Sequence, residues 1–156
     1  MPRYIDFEQD IKLVFCENCK KLEFPICLHL TDCNGKDYPN KVLTDNRGAF
    51  DAAIRNPSVK FLFSHFAGGE VFKENFVALE NVFYDCAANT FLYGKNAFLQ
   101  LSNSILQKTI FGSDYPLRLY PKKHKVAEMC EFIEECANAF NKDFSTKNFF
   151  EASLFL

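Results

Sequence analysis

Tryptophan is absent from the 156 residues, methionine occurs twice, and glycine and proline occur six times each. So few chain breakers exclude a collagen-like fibre and leave no low-complexity linker. An excess of charge is missing too: 18 Lys and Arg stand against 20 Asp and Glu, for a net charge of -2. That balance excludes a supercharged nucleic-acid binder, and 48% hydrophobic residues exclude a disordered tail. No apolar run approaches the ~18 residues of a membrane-spanning helix. The start, Met1-Pro2-Arg3-Tyr4-Ile5-Asp6, turns acidic at once and has no apolar core of signal type. The expectation is a cytoplasmic protein with neither a membrane nor nucleic acid as partner.

A disulfide framework and a zinc finger are equally poorly supported. Cys16, Cys19, Cys27, Cys33, Cys86, Cys130 and Cys136 are odd in number and scattered. Cys16 and Cys19 form a lone Cys-x-x-Cys with no second pair to close a structural zinc site. They lie inside a helical pattern, where thiols behave as small apolar groups. There is no G-x-G-x-x-G and no P-loop. Ser113, in Phe-Gly-Ser-Asp-Tyr, lacks the second glycine of a nucleophile elbow.

What the chain does have is phenylalanine, 19 of them with six tyrosines. At this length one α/β domain over residues 1–156 is expected, able to bury about 68–70% of the unfolded surface. Apolar residues at three- and four-residue steps (Ile11, Val14, Phe15, Cys19, Leu22) predict a first helix. Strands follow at 24–30, 59–65, 81–86 and 109–111. Between them come a helix at 47–55 that stops before Pro57, one marked by Phe72, Phe76 and Leu79, and one marked by Phe98, Leu101 and Ile105. A long helix marked from Val126 to Phe140 and a last one capped by Ser145 or Thr146 complete the pattern. Strands alternating with helices imply βαβ units and a parallel sheet.

The polar residues fall at strand ends. His29 ends the first strand, His65 the second, and Asp114 follows the fourth. Right-handed crossovers bring all these ends to one edge, where α/β folds carry their active sites. Alternation puts His29 on the face of Cys27, opposite Ile26, Leu28 and Leu30. Two imidazoles and a carboxylate are a partial set for Zn²⁺ or a similar ion. Plain structural roles are also open: a hydrogen-bonded strand-end His, Asp114 capping a turn with Ser113, and Asp85 as either a fourth rim residue or a structural one. A Cys27–His29 nucleophilic pair is a further alternative, and His124, in a small basic cluster, reads as solvated surface.

Three segments carry a family resemblance. Val59-Lys60-Phe61-Leu62-Phe63-Ser64-His65-Phe66-Ala67-Gly68-Gly69 resembles the His-and-diglycine strand end of the amidohydrolase superfamily. Ile110-Phe111-Gly112-Ser113-Asp114-Tyr115-Pro116 is similar to its last-strand Phe-Gly-Ser-Asp signature. Phe24-Pro25-Ile26-Cys27-Leu28-His29, in the same order, is similar to the fifth-strand segment of the amidohydrolase-related branch of metal-dependent hydrolases and decarboxylases.

The resemblance implies strands five to eight of a TIM-type (β/α)8 barrel, incomplete in this chain, since a full barrel takes ~250 residues. It implies His29 as a metal ligand, His65 as a second-metal ligand or the water-activating group, and Asp114 as a ligand or general base. The cofactor implied is a divalent metal, Zn²⁺ or Mn²⁺. The reaction implied is carbonyl hydrolysis or non-oxidative decarboxylation of a small-molecule substrate, whose choice falls to the loops at 32–46 and 90–95. The family's first-strand His-x-His pair has no counterpart, because no His precedes His29. Completion by an N-terminal half or by a second copy is therefore expected. The alternative is a non-catalytic remnant or assembly module that keeps the half-barrel.

Overall fold

The computed structural model describes residues 15–32, 41–94, 96–112 and 114. The helices expected after residue 120, together with His124, Cys33, Cys130, Cys136 and Ser113, lie outside these residues.

Four short strands, β1 (Ile26–Leu28), β2 (Phe61–Phe63), β3 (Val82–Asp85) and β4 (Thr109–Ile110), form one sheet in the order β1-β2-β3-β4. All three neighbouring pairs are parallel. One row across the sheet runs Leu28, Phe63, Tyr84, Thr109, and another runs Cys27, Leu62, Phe83. The order never reverses, so right-handed crossovers put every connection on the same face.

Burial bears this out. Ile26, Phe61, Phe63, Val82, Tyr84 and Thr109 are buried, and the apolar ones among them pack with Ala49, Ala53, Phe98 and Ile105 from the connections. On the other face Cys27 is exposed, and Leu62 and Phe83 are half-buried.

Helix α1 (Phe15–Leu22) buries Cys16 and packs Cys19 against the core. Leu22, expected on the same stripe, is exposed. At 3.6 residues per turn it sits roughly 120° around the axis from Cys16, at the edge of the buried face. Helix α2 (Asn46–Arg55) buries Gly48, Ala49 and Ala53, and ends where Asn56 precedes Pro57. Asn81 joins it to the sheet, donating from Nδ2 to the carbonyls of Ala53, Asn56 and Val59.

Two expected helices are broken up. Phe72, Phe76 and Leu79 lie on a single 3-10 turn (Glu70–Phe72) and the irregular chain after it. Their spacing serves ring packing, with Phe72 against Phe66 and Phe76 against Phe50 and Tyr84. A helix this short gains little from its own hydrogen bonds, so ring contacts decide the path. Phe98 and Ile105 likewise belong to a 3-10 turn (Ala97–Gln100) and a one-turn helix α4 (Asn103–Leu106), after the short α3 (Asn89–Tyr93). No helix among the described residues is long and apolar enough to cross a membrane.

Tyr84 is a local exception to polar satisfaction. Its ring is fully buried, its hydroxyl has no hydrogen-bond partner among the described residues, and burial drives its phenol well above the ordinary range. Removing an unsatisfied hydroxyl removes its desolvation cost, so Tyr84→Phe is expected to stabilise by about 1 kcal/mol. Calorimetry then reads a melting temperature higher by about 2–4 °C. A lower melting temperature would show that the hydroxyl is bonded.

Candidate functional site

His29 follows β1 directly, and its side chain is exposed on the same face as Cys27, as alternation requires. His65 reaches the same edge by another route. After Phe63 the chain leaves the ladder and makes a left-handed turn: His65 (φ 52, ψ 46), Phe66 (φ 51, ψ 48), Ala67 (φ 57, ψ 42) and Gly68 (φ 61). Each non-glycine residue there costs about 1–2 kcal/mol. Such strain persists only where neighbours over-determine the conformation.

Those neighbours come from every adjacent element. Ser64 Oγ accepts the Leu30 amide at 2.9 Å, tying the turn to the end of β1. Gly68 sits so close to the Thr31 carbonyl and to Asn46 that a Cβ there would meet them at 2.7 and 2.8 Å. The Tyr93 hydroxyl donates to the His65 carbonyl at 2.9 Å. Asp85, the last residue of β3, accepts the His65 amide at 2.8 Å and the Ala87 amide at 3.1 Å, both on Oδ1.

The ring of His65 is buried, with Nδ1 at 2.9 Å from the Ala87 carbonyl. A carbonyl can only accept, so Nδ1 carries the proton and Nε2 is the basic nitrogen. The two imidazoles meet edge to face, with centroids 5.0 Å apart. Asp114, itself at φ 56, lies close enough for its charge to act on both His29 and Asp85. The edge thus gathers His29, His65, Asp85 and Asp114 from the ends of all four strands.

Electrostatics at the edge favour the neutral form of His29. Burial of part of the His29 ring, followed by His65, lowers its pKa, against an opposing pull from Asp114 and Asp85. Burial raises the Asp85 carboxyl; the His65 and Ala87 amides offset part of that rise and Asp114 adds to it. Partial burial of the sulfur and then Asp85 raise the Cys27 thiol, the reverse of what a nucleophilic thiolate needs. The Cys27–His29 alternative therefore finds no support. Cys16, Cys19, Cys27 and Cys86 are all free thiols.

The donor types suit a divalent ion: His29 held toward its neutral form, and His65 with Nδ1–H anchored to a carbonyl as metal-ligating imidazoles usually are. The number does not close a site, since no three His, Cys, Asp or Glu among the described residues group so as to hold an ion.

Asp85 and Tyr93 are the residues that sequence reasoning underweighted. The signal for Asp85 was present, as a carboxylate ending the otherwise apolar Val82-Phe83-Tyr84. Tyr93 left no such signal, because its bond to His65 spans 28 residues.

The fold and edge define an α/β domain with a sequentially ordered parallel sheet, covered on one face among the described residues and carrying its ionisable groups at the strand ends. No protein-family model matches this chain, and neither a curated protein nor a solved structure matches it. The likeness to amidohydrolases rests on the sequence segments themselves.

Proposed function

We propose that this chain is the C-terminal half of a metal-dependent hydrolase or decarboxylase of the amidohydrolase-related type, with β1–β4 in the places of barrel strands five to eight. The observation that carries this reading is the His65 ring, whose Nδ1–H is fixed on the Ala87 carbonyl while the ring meets His29 edge to face at the edge that Asp114 also reaches. Sequential strand order with one covered face is also what a barrel uses, its inner face being closed by the other strands. Those strands come from an N-terminal half or a second copy, which also completes the ligand set.

In this reading His29 and Asp114 would hold Zn²⁺ or Mn²⁺, and His65 would either join them or take a proton at Nε2. The ion, when bound, supplies a water of lowered pKa and polarises the substrate carbonyl. The buried surroundings of His65 keep its orientation, so no reorganisation is needed when the proton moves.

Native mass spectrometry of the full chain with added Zn²⁺ or Mn²⁺, reading subunit number and bound metal together, tests this. Stoichiometric metal on an assembled species is expected, weakened by about tenfold or more in His29→Ala and in Asp114→Ala. Metal affinity unchanged in both variants would overturn the reading and leave an assembly module.

A further inference from the structure

We propose that Asp85 is a positioning residue for His65, setting which ring nitrogen carries the proton. This rests on the reading of His65 as a functional imidazole. The argument is geometric. One oxygen, Asp85 Oδ1, accepts the backbone amide of the residue that bears the ring and the amide of the residue whose carbonyl holds the ring. Both ends of the Nδ1–H···O=C bond are thereby referred to a single atom.

Remove that atom and two backbone segments, 22 residues apart in sequence, are no longer tied together there. The His65 side has cause to move, because its backbone is strained at φ 52 and is followed by two more left-handed non-glycine residues. Tyr93 holds the turn at the His65 carbonyl and Ser64 holds it at Leu30, and neither of these bonds is made to the ring. Among the described residues, the Asp85–Ala87 connection is what holds the imidazole by a hydrogen bond, and with it the accessibility of Nε2. Because the role needs a hydrogen-bond acceptor rather than a charge, asparagine is expected to replace it.

The test is a long-range ¹H–¹⁵N spectrum of the full chain labelled at histidine, recorded well above the usual imidazole range. The His65 signal is assigned by its loss in His65→Gln. In the wild type, His65 is expected as the Nδ1–H form. In Asp85→Ala it shifts to a mixture containing the Nε2–H form, and in Asp85→Asn the wild-type signature returns. Added Zn²⁺ is expected to bind about 10–100-fold more weakly to Asp85→Ala than to Asp85→Asn, the usual range for losing a group behind a ligand.

A wild-type Nε2–H signal would overturn the proposal whatever the variants do, including if Asp85→Ala fails to fold. So would a folded Asp85→Ala with the wild-type signature, or an Asp85→Asn that behaves like Asp85→Ala. Zn²⁺ that binds to none of the three proteins would count against the proposed function alone, since the tautomer readout needs no metal.

Discussion

Phe63→Ala is expected to lower unfolding stability by about 3–5 kcal/mol, the range for emptying a buried aromatic site. The ring is fully buried in the central strand β2, packed edge to face on Phe50 at 5.0 Å and on Phe61 at 6.0 Å. Phe50 in turn meets Phe76 at 5.7 Å, and Phe76 meets Tyr84 at 6.0 Å. Deleting Phe63 therefore strips contacts from the junction between α2 and the sheet, and the surrounding rings relax only in part. Against a total of about 5–15 kcal/mol for a domain, this is a large share. Urea unfolding checks it through a lower midpoint at an unchanged slope. Phe24→Ala, at a site 60% exposed, is the control and is expected to change little. Equal effects at both positions would refute this account of the core.

The second large effect belongs to Gly68→Ala. Its backbone is left-handed at φ 61, and the added methyl would stand 2.7 Å from the Thr31 carbonyl oxygen, where the obstacle is main chain and cannot rotate away. Left-handed strain of about 1–2 kcal/mol adds to an overpacking cost of about 1–3 kcal/mol, giving a loss of about 2–5 kcal/mol. Gly94→Ala separates the two contributions. Its φ is 89, yet a Cβ there meets nothing within 4 Å, so strain alone applies. Expected is a loss of about 1 kcal/mol at Gly94 and several times that at Gly68 by denaturant unfolding. Comparable losses would mean that close approach to Thr31 is not what Gly68 provides. Because Gly68 closes the turn that begins at His65, Gly68→Ala is also expected to disturb the His65 ring signals.

These two sites show how the candidate edge is built. The Phe-rich face anchors β2 and β3, and their rigid ends carry the strained turn and Asp85. The strain is tolerated because Leu30, Tyr93 and Asp85 hold the turn through hydrogen bonds to Ser64 and His65. The same arrangement keeps His65 in contact with His29.

Much of this was legible in the residues. The 3.6-residue stripe before Glu23, the stop at Asn56-Pro57 and four apolar runs separated by turns led to alternating helices and strands. Parity along β1 placed His29 with Cys27 on the exposed face, which is how both are found. The apolar runs at 24–30 and 59–65 extend past the ladder, which spans only Ile26–Leu28 and Phe61–Phe63. A continuous apolar run does not mark where its partner stops hydrogen-bonding. For His65 the logic of alternation does not apply at all, since the chain has already left the strand.

By itself the sequence determined the α/β class, the Phe-rich core and the gathering of ionisable groups at strand ends, because these follow from periodicity and from the direction of parallel strands. The tertiary structure alone decided the left-handed turn, the protonated nitrogen of His65 and the task of Asp85. Each depends on contacts such as Asp85 to His65, 20 residues apart, and Tyr93 to His65, 28 apart, whose energy local pattern does not contain. Where a residue's conformation costs energy locally, only distant neighbours can make it the native one.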